Sequence, residues 1–155
     1  RITNHPGIDS SPSWSPDGSR LVFVSDRTGS PQLYSTDANG NDLIHLRTGL
    51  SYCTSPDWSP VGSMIAFNAM GGNGSFNIFL YDMSTGRTRQ LTFGNGSNED
   101  PSWSPDARYM VFSSTRGTTR KKRMKQLYVM PANGGKATRI TRRNVLYSTP
   151  VWSPW

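Results

Sequence analysis

The 155-residue chain writes Pro-x-Trp-Ser-Pro four times, as "SPSWSPDG" from Ser11, "SPDWSPVG" from Ser55, "DPSWSPDA" from Asp100 and "TPVWSPW" from Thr149. Repetition at this period constrains the fold more than any local motif, because each unit has to bury its apolar faces against copies of itself. Trp14, Trp58, Trp103 and Trp152 are separated by 44, 45 and 49 residues. A second marker holds the same register: Ile2, Leu46, Leu91 and Ile140 each stand twelve residues ahead of the next tryptophan. Four matches at one offset establish the repeat.

Each unit resolves into four short strands. In the first, "SPSWS" opens a strand and "SPDG" makes a turn, with Pro16 fixing φ and Gly18 accepting a positive φ. "SRLVFVS" is apolar and β-branched, "PQLYSTD" follows the turn "DRTGS", and the Asn-Gly of "ANGN" leads into "DLIHLRT". The second unit repeats the scheme with "SMIAFNA", "FNIFLYD" and "RTRQLTF", the third with "RYMVFSS", "KQLYVMP" and "KATRITR". Phe23, Phe67 and Phe112 each lie nine residues after their tryptophan. Four antiparallel strands in a unit of this length form a propeller blade, so the expected class is all-β, a β-propeller fragment of three complete four-stranded blades. The tryptophans and phenylalanines then fill the space between neighbouring sheets and are core, not a ligand cage.

The blades are expected over residues 10–53, 54–98 and 99–147. Residues 1–7 read as the end of a preceding blade and 148–155 as a ring-closing inner strand. Three blades cannot close a ring, so the missing blades are expected from the same parent chain or from a second copy. The opening "RITNHPG" reads as the interior of a repeat, and no signal peptide is visible.

Composition removes several classes. Mean hydropathy is −0.59 and no apolar run approaches the roughly 20 residues of a membrane helix, so membrane insertion is not expected. The single cysteine, Cys53, excludes an internal disulfide and a zinc ribbon, and reads as a small half-buried side chain. His5 and His45 lack a second ligand at useful spacing, so no metal and no cofactor are expected. No Gly-x-Ser-x-Gly elbow, HExxH or phosphate-cradling glycine motif is present, and "GGNGSF" from Gly71 reads as a hairpin loop, so the chain is not read as an enzyme. Of the formal net charge of +7, Arg116, Arg120, Lys121, Lys122, Arg123 and Lys125 concentrate six positive charges within ten residues. Two readings stand for this tract: a solvated loop, or a dock for nucleic acid or anionic lipid. The lack of interleaved aromatics counts against nucleic acid.

The residues quoted so far also carry a resemblance. Pro-x-Trp-Ser-Pro-Asp-Gly, an aliphatic-Phe strand, "LYVM", a Gly-Gly or Asn-Gly turn and an "RIT"-like ending are similar to the TolB-type propeller repeat, most closely in "SNEDPSWSPDARYMVFSSTR" from Ser97 to Arg116. Three features depart from it: Val61 in place of the turn Asp, Ala107 in place of the turn Gly, and a loop carrying "TTRKKRM" four or five residues longer than its counterparts. The resemblance implies a periplasmic component of the Tol-Pal envelope system. It further implies a six-bladed propeller that binds the peptidoglycan-associated lipoprotein Pal, and an N-terminal part, absent from this chain, that communicates with TolA. The alternative is the accessory propeller of a serine peptidase of the prolyl oligopeptidase or tricorn type, whose repeats are similar.

A binding propeller works through loops at one mouth of its channel. The segments ahead of each Pro-x-Trp, "PGIDSS", "LSYCTS", "GSNED" and "VLYST", differ while the strand after them repeats. Asp9, Tyr52, Asn98, Glu99, Asp100 and Tyr147 are the expected partner contacts. Each has a plainer reading: Asp100 as a turn cap before Pro101, the two tyrosines as packing against the next blade.

Overall fold

The computed structural model describes residues 1–94, 96–117, 124–143 and 145–153. Among the described residues twelve strands form three sheets in simple meander order. The first sheet holds β1 (Asp9–Trp14), β2 (Arg20–Ser25), β3 (Gln32–Asp37) and β4 (Ile44–His45); the second holds β5 (Cys53–Trp58), β6 (Met64–Met70), β7 (Phe76–Asp82) and β8 (Arg87–Gln90). The third holds β9 (Asn98–Trp103), β10 (Tyr109–Ser114), β11 (Gln126–Pro131) and β12 (Thr138–Arg139). All pairings are antiparallel.

The recurrent motif ends a strand and does not begin one, because Trp14, Trp58 and Trp103 are the last residues of β1, β5 and β9. Three residues before each tryptophan the backbone turns left-handed: Ser11 at φ 52°, Ser55 at 50° and Asp100 at 54°. A proline with no N–H to donate follows each. Each Ser-Pro or Asp-Pro pair therefore stands opposite a single partner residue, a β-bulge, and that partner is Phe23, Phe67 or Phe112. Thr149, at the same station ahead of Trp152, has φ 46°. The outermost strands are shorter than their sequence segments, with β4 and β12 reduced to two residues each.

Each blade buries two faces of different composition, as period-2 alternation requires. In the second blade Ile65, Phe67, Phe79 and Tyr81 pack with Trp58 against Val22, Val24 and Leu33 of the first. Its opposite face, Ala66, Ile78 and Leu80, receives Trp103, Met110, Phe112 and Met130 of the third. Thus the aromatic face of one blade meets the aliphatic face of the blade before it. Phe23–Tyr34, Phe67–Phe79 and Phe112–Tyr128 are directly opposed cross-strand ring pairs, with centroids 5.8 to 6.1 Å apart. The aliphatic markers diverge: Leu46 and Leu91 are buried, Ile140 is exposed. Ile2 presses its carbonyl so close to Gly40 (φ +88°) that a Cβ there would meet it, which explains glycine in the "ANGN" turn.

The departures in the Trp-Ser-Pro turn have visible consequences. Asp17 and Asp106 each accept a serine hydroxyl at 2.6 Å and a backbone N–H at 3.0 Å, closing the turn. Led by the Ser15 hydroxyl, these bonds hold the Asp17 carboxyl down at about 2. Val61 has no acceptor side chain, and Ser59 instead donates to the Val61 carbonyl at 2.8 Å. Ala107 adopts φ +57°, where Gly18 and Gly62 sit at +69° and +75°.

Candidate functional site: the rim of the inner strands

Backbone hydrogen bonds sort the connections onto two mouths. The Cys53 N–H donates to Pro31 O at 2.8 Å and the Tyr147 N–H to Lys125 O at 3.0 Å, while the Phe76 N–H donates to Ser97 Oγ at 3.3 Å. The loops that lead into the inner strands therefore share one rim with the loops joining the second and third strands. On the other rim Ala38, Met83 and Ala132 donate to Ser19, Ser63 and Arg108, tying the turns of each blade together.

The six sequence-predicted residues all lie on the first rim, but their side chains differ in availability. Tyr52 is 43% exposed and meets Phe76 edge-on at 5.8 Å. Tyr147 is half-buried. Glu99 and Asp100 gather around Lys125, whose Nζ lies 2.9 Å from Glu99 Oε2 and 3.8 Å from Asp100 Oδ2. Asp100 also accepts the Ser55 and Ser113 hydroxyls and the Thr149 N–H, and its own N–H donates to Asn68 Oδ1 at 3.1 Å. It stitches the second blade, the third blade and the segment after it.

Asp9 and Asn98 point inward. Asn98 is fully buried, its Oδ1 accepting from Ser114 Oγ and from Arg116 Nε and Nη2, the last at 2.6 Å. Asp9 pairs with Arg27 at 3.1 Å. Burial pushes the Asp9 carboxyl up, but hydrogen bonds from Ser25, Thr3 and Arg27 together with the Arg27 charge hold it below its ordinary value. Arg27 lies over Phe23 and Tyr34, and Arg116 over Phe112 and Tyr128, each guanidinium within 5.5 Å of both rings. Sequence reasoning missed this brace, although a signal exists: both arginines fall thirteen residues after their tryptophan, and Asp9 and Asn98 five before. In the second blade Gly71 and Cys53 hold those stations. Cys53 is fully buried, and its burial pushes the thiol up.

Apolar side chains are among what the first rim offers to solvent. Ile8 is 69% and Leu146 64% exposed, and both stand six residues ahead of their tryptophan, as does Tyr52. Phe93 and Val145 add to the same connections. Of the basic tract, residues 118–123 lie outside the described residues, while its flanks Arg116 and Lys125 are engaged with Asn98 and Glu99. Gly71 to Ser75 form the hairpin turn between β6 and β7. Among the described residues no three of His, Cys, Asp and Glu come together to hold a metal ion. His5 accepts from the Gly7 N–H, and His45 stacks on Tyr34 at 4.8 Å.

Bulged inner strands, stacked four-stranded sheets and a rim of variable loops define a β-propeller. Residues 1–121 and 50–155 match the TolB beta propeller domain, and the chain belongs to that family. A protein TolB homolog of Chlorobium chlorochromatii is 40% identical over 137 residues, a match covering 88% of this chain and 29% of that protein. The Tol-Pal system protein TolB of Bordetella pertussis is 37% identical over 152 residues, covering 70% of this chain and 34% of that one. The uncharacterized peptidase YuxL of Bacillus subtilis is 33% identical over 112 residues, covering 69% of this chain and 16% of the peptidase. In fold, the crystal structure of TolB from Acinetobacter baumannii superposes with a TM-score of 0.78 at 23% identity, over 99% of this chain and 37% of that one. The chain thus spans about a third or less of the curated relatives it matches.

Proposed function

We propose that this chain is a non-catalytic, protein-binding part of a TolB-type propeller acting in the periplasm within the Tol-Pal system, and that it engages a Pal-type lipoprotein through the first rim. The observation that carries this reading is the set of exposed apolar side chains, Ile8, Tyr52 and Leu146, repeated at one station of three entering loops beside the Glu99–Asp100 pair. Tyr52 belongs to the second blade, which has a sheet packed on either side, so its exposure is not that of a stack's end, and an aromatic side chain held in water there suits a protein partner. Tyr52, Glu99 and Tyr147 are the contacts of first rank among the six; Asp100 contributes while holding the rim together, and Asp9 and Asn98 act by bracing it. In this reading residues 148–155 supply the inner strand of a further blade, from the same parent chain or a second copy, and an N-terminal part of the parent communicates with TolA. The left-handed Thr149 supports the inner-strand assignment; Pro154 and Trp155 lie outside the described residues.

The test is calorimetric titration of the full-length protein with a soluble Pal-type lipoprotein domain, for the parent and for a variant carrying Ile8→Ser, Tyr52→Ser, Glu99→Gln and Tyr147→Ser. Loss of affinity of tenfold or more in a variant that still folds supports the reading, and unchanged affinity removes the site assignment. The similarity to YuxL favours a second reading, an accessory propeller of a serine peptidase. Covalent labelling of the full-length protein by a fluorophosphonate would support that reading, and hydrolysis of proline-containing peptides would complete it.

A further inference from the structure

The opposite mouth carries chemistry that blade stacking does not require. Ser13, Asp57, Ser102 and Val151 occupy the x of the four Pro-x-Trp motifs. The side chain at this station accepts the backbone N–H of the next blade's tryptophan: Trp58 N–H donates to Ser13 Oγ at 2.9 Å and Trp103 N–H to Asp57 Oδ2 at 2.8 Å. A serine hydroxyl suffices for that bond, so the carboxylate at 57 adds a charge that the interface leaves unused. The partly buried acids Asp9, Glu99 and Asp100 are each met by a cation, and Asp26, Asp37 and Asp82 accept backbone N–H groups. Among the described ion pairs none reaches Asp57, whose remaining partners are the neutral hydroxyls of Ser13, at 3.5 Å, and Ser102. Burial pushes its carboxyl above its ordinary value, outweighing the Trp103 amide and both hydroxyls.

Beside this carboxylate lies a solvent-open cavity of ≈ 290 Å³, bounded by Trp58, Trp103 and Trp152 and the rings of Pro60 and Pro105. A single carboxylate is too few oxygens for a calcium or magnesium ion, which take six or more. Indoles and an anionic group suit a cation whose charge is spread over carbon or nitrogen and whose flanks are apolar. The volume fits a head group, below the usual range for drug-sized ligands.

We propose that this cavity binds an organic cation of the alkylammonium or guanidinium class, seated on Asp57 between the indoles, independently of the partner-binding rim. Such a group arrives either as a free amine or as a lysine or arginine side chain of a peptide.

The experiment follows the indole N–H resonances of Trp58, Trp103 and Trp152 in the full-length protein during titration with tetramethylammonium, methylguanidinium, a lysine-containing tetrapeptide, and neopentyl alcohol as the uncharged isostere. The expected result is saturable shifts with the cations and affinity about tenfold weaker for the alcohol. Saturation by the free cations assigns the site to small amines, and saturation by the tetrapeptide alone assigns it to a peptide side chain; either supports the site. Asp57→Asn keeps an acceptor for the Trp103 N–H without the charge and is expected to weaken cation binding about tenfold or more. Should that variant not fold, Asp57→Ser, which installs the residue found at positions 13 and 102, takes its place. Absence of saturable shifts with every cation, equal affinity for the alcohol, or cation binding retained in the folded Asp57 variant would overturn the proposal.

Discussion

Trp58 and Trp103 occupy one station in adjacent blades and are 8% and 7% exposed, yet their indole nitrogens differ in one respect. Trp103 Nε1 donates to Asp57 O at 3.0 Å, whereas Trp58 Nε1 is buried with no hydrogen-bond partner among the described residues. Replacing either by phenylalanine removes the same atoms from a packed interface, a loss of about 1–3 kcal/mol common to both. The polar terms then diverge. Trp103→Phe also strips the part-buried Asp57 carbonyl of its donor, at a cost of about 1 kcal/mol. Trp58→Phe removes an unpaired donor and returns a similar desolvation term. Trp103→Phe is therefore expected to be the more destabilising by about 2 kcal/mol. Urea unfolding of the full-length variants reads this as a midpoint difference of about 1 M at a shared slope. Equal midpoints, or a lower one for Trp58→Phe, would refute the assignment of the indole bond as a stabilising link between blades.

Three further outcomes follow from the structure. Ala107→Gly relieves a left-handed alanine but gives up the packing of its half-buried methyl on the third blade's core, so a net gain of about 0.5 kcal/mol is expected, seen as a slightly higher Tm. Asn98→Ala takes the shared acceptor from the buried Ser114 hydroxyl and the half-buried Arg116 and should cost about 2–3 kcal/mol in chemical denaturation, so any effect on partner binding follows from a weakened brace. For Asp57 the folded-state pKa lies above the unfolded value of 3.8, so its ionisation opposes folding. The penalty is absent below 3.8, grows as pH rises through the folded pKa and is complete above it. Asp57→Asn should accordingly gain stability relative to the parent protein at neutral pH and lose that advantage in acid, and a difference independent of pH would contradict the sign.

The repeat made the scaffold legible because stacked blades demand the same residue at the same station, and a period survives any error in a strand boundary. Strand ends were less legible. Pro-x-Trp closes the inner strand because a left-handed residue and a donor-less proline share one partner, a backbone event that composition does not announce. The rim was legible by position but not by side-chain direction. Asp9 and Asn98 turn inward because an arginine thirteen residues beyond each tryptophan stacks on an aromatic pair and needs an acceptor there. Tyr52 stands one residue earlier, at the station of Ile8, and like it stays out, resting on Phe76, while the buried Cys53 holds the brace position of its blade. Asp57 was invisible because the station it occupies reads as one variable letter inside a conserved-looking word, and its meaning lies in a neighbour 46 residues away.

The account stands on a division of labour in which stacked sheets hold the shape and the apolar, acidic rim recognises the partner. Side-by-side calorimetry on two folded, full-length variants tests it most directly: one altered at Ile8, Tyr52, Glu99 and Tyr147, the other at the opposite-mouth turn residues Asp17, Val61 and Asp106. Affinity for the Pal-type domain should fall tenfold or more in the first and remain at the parent value in the second. Full affinity in the first, or its loss only in the second, would contradict the account.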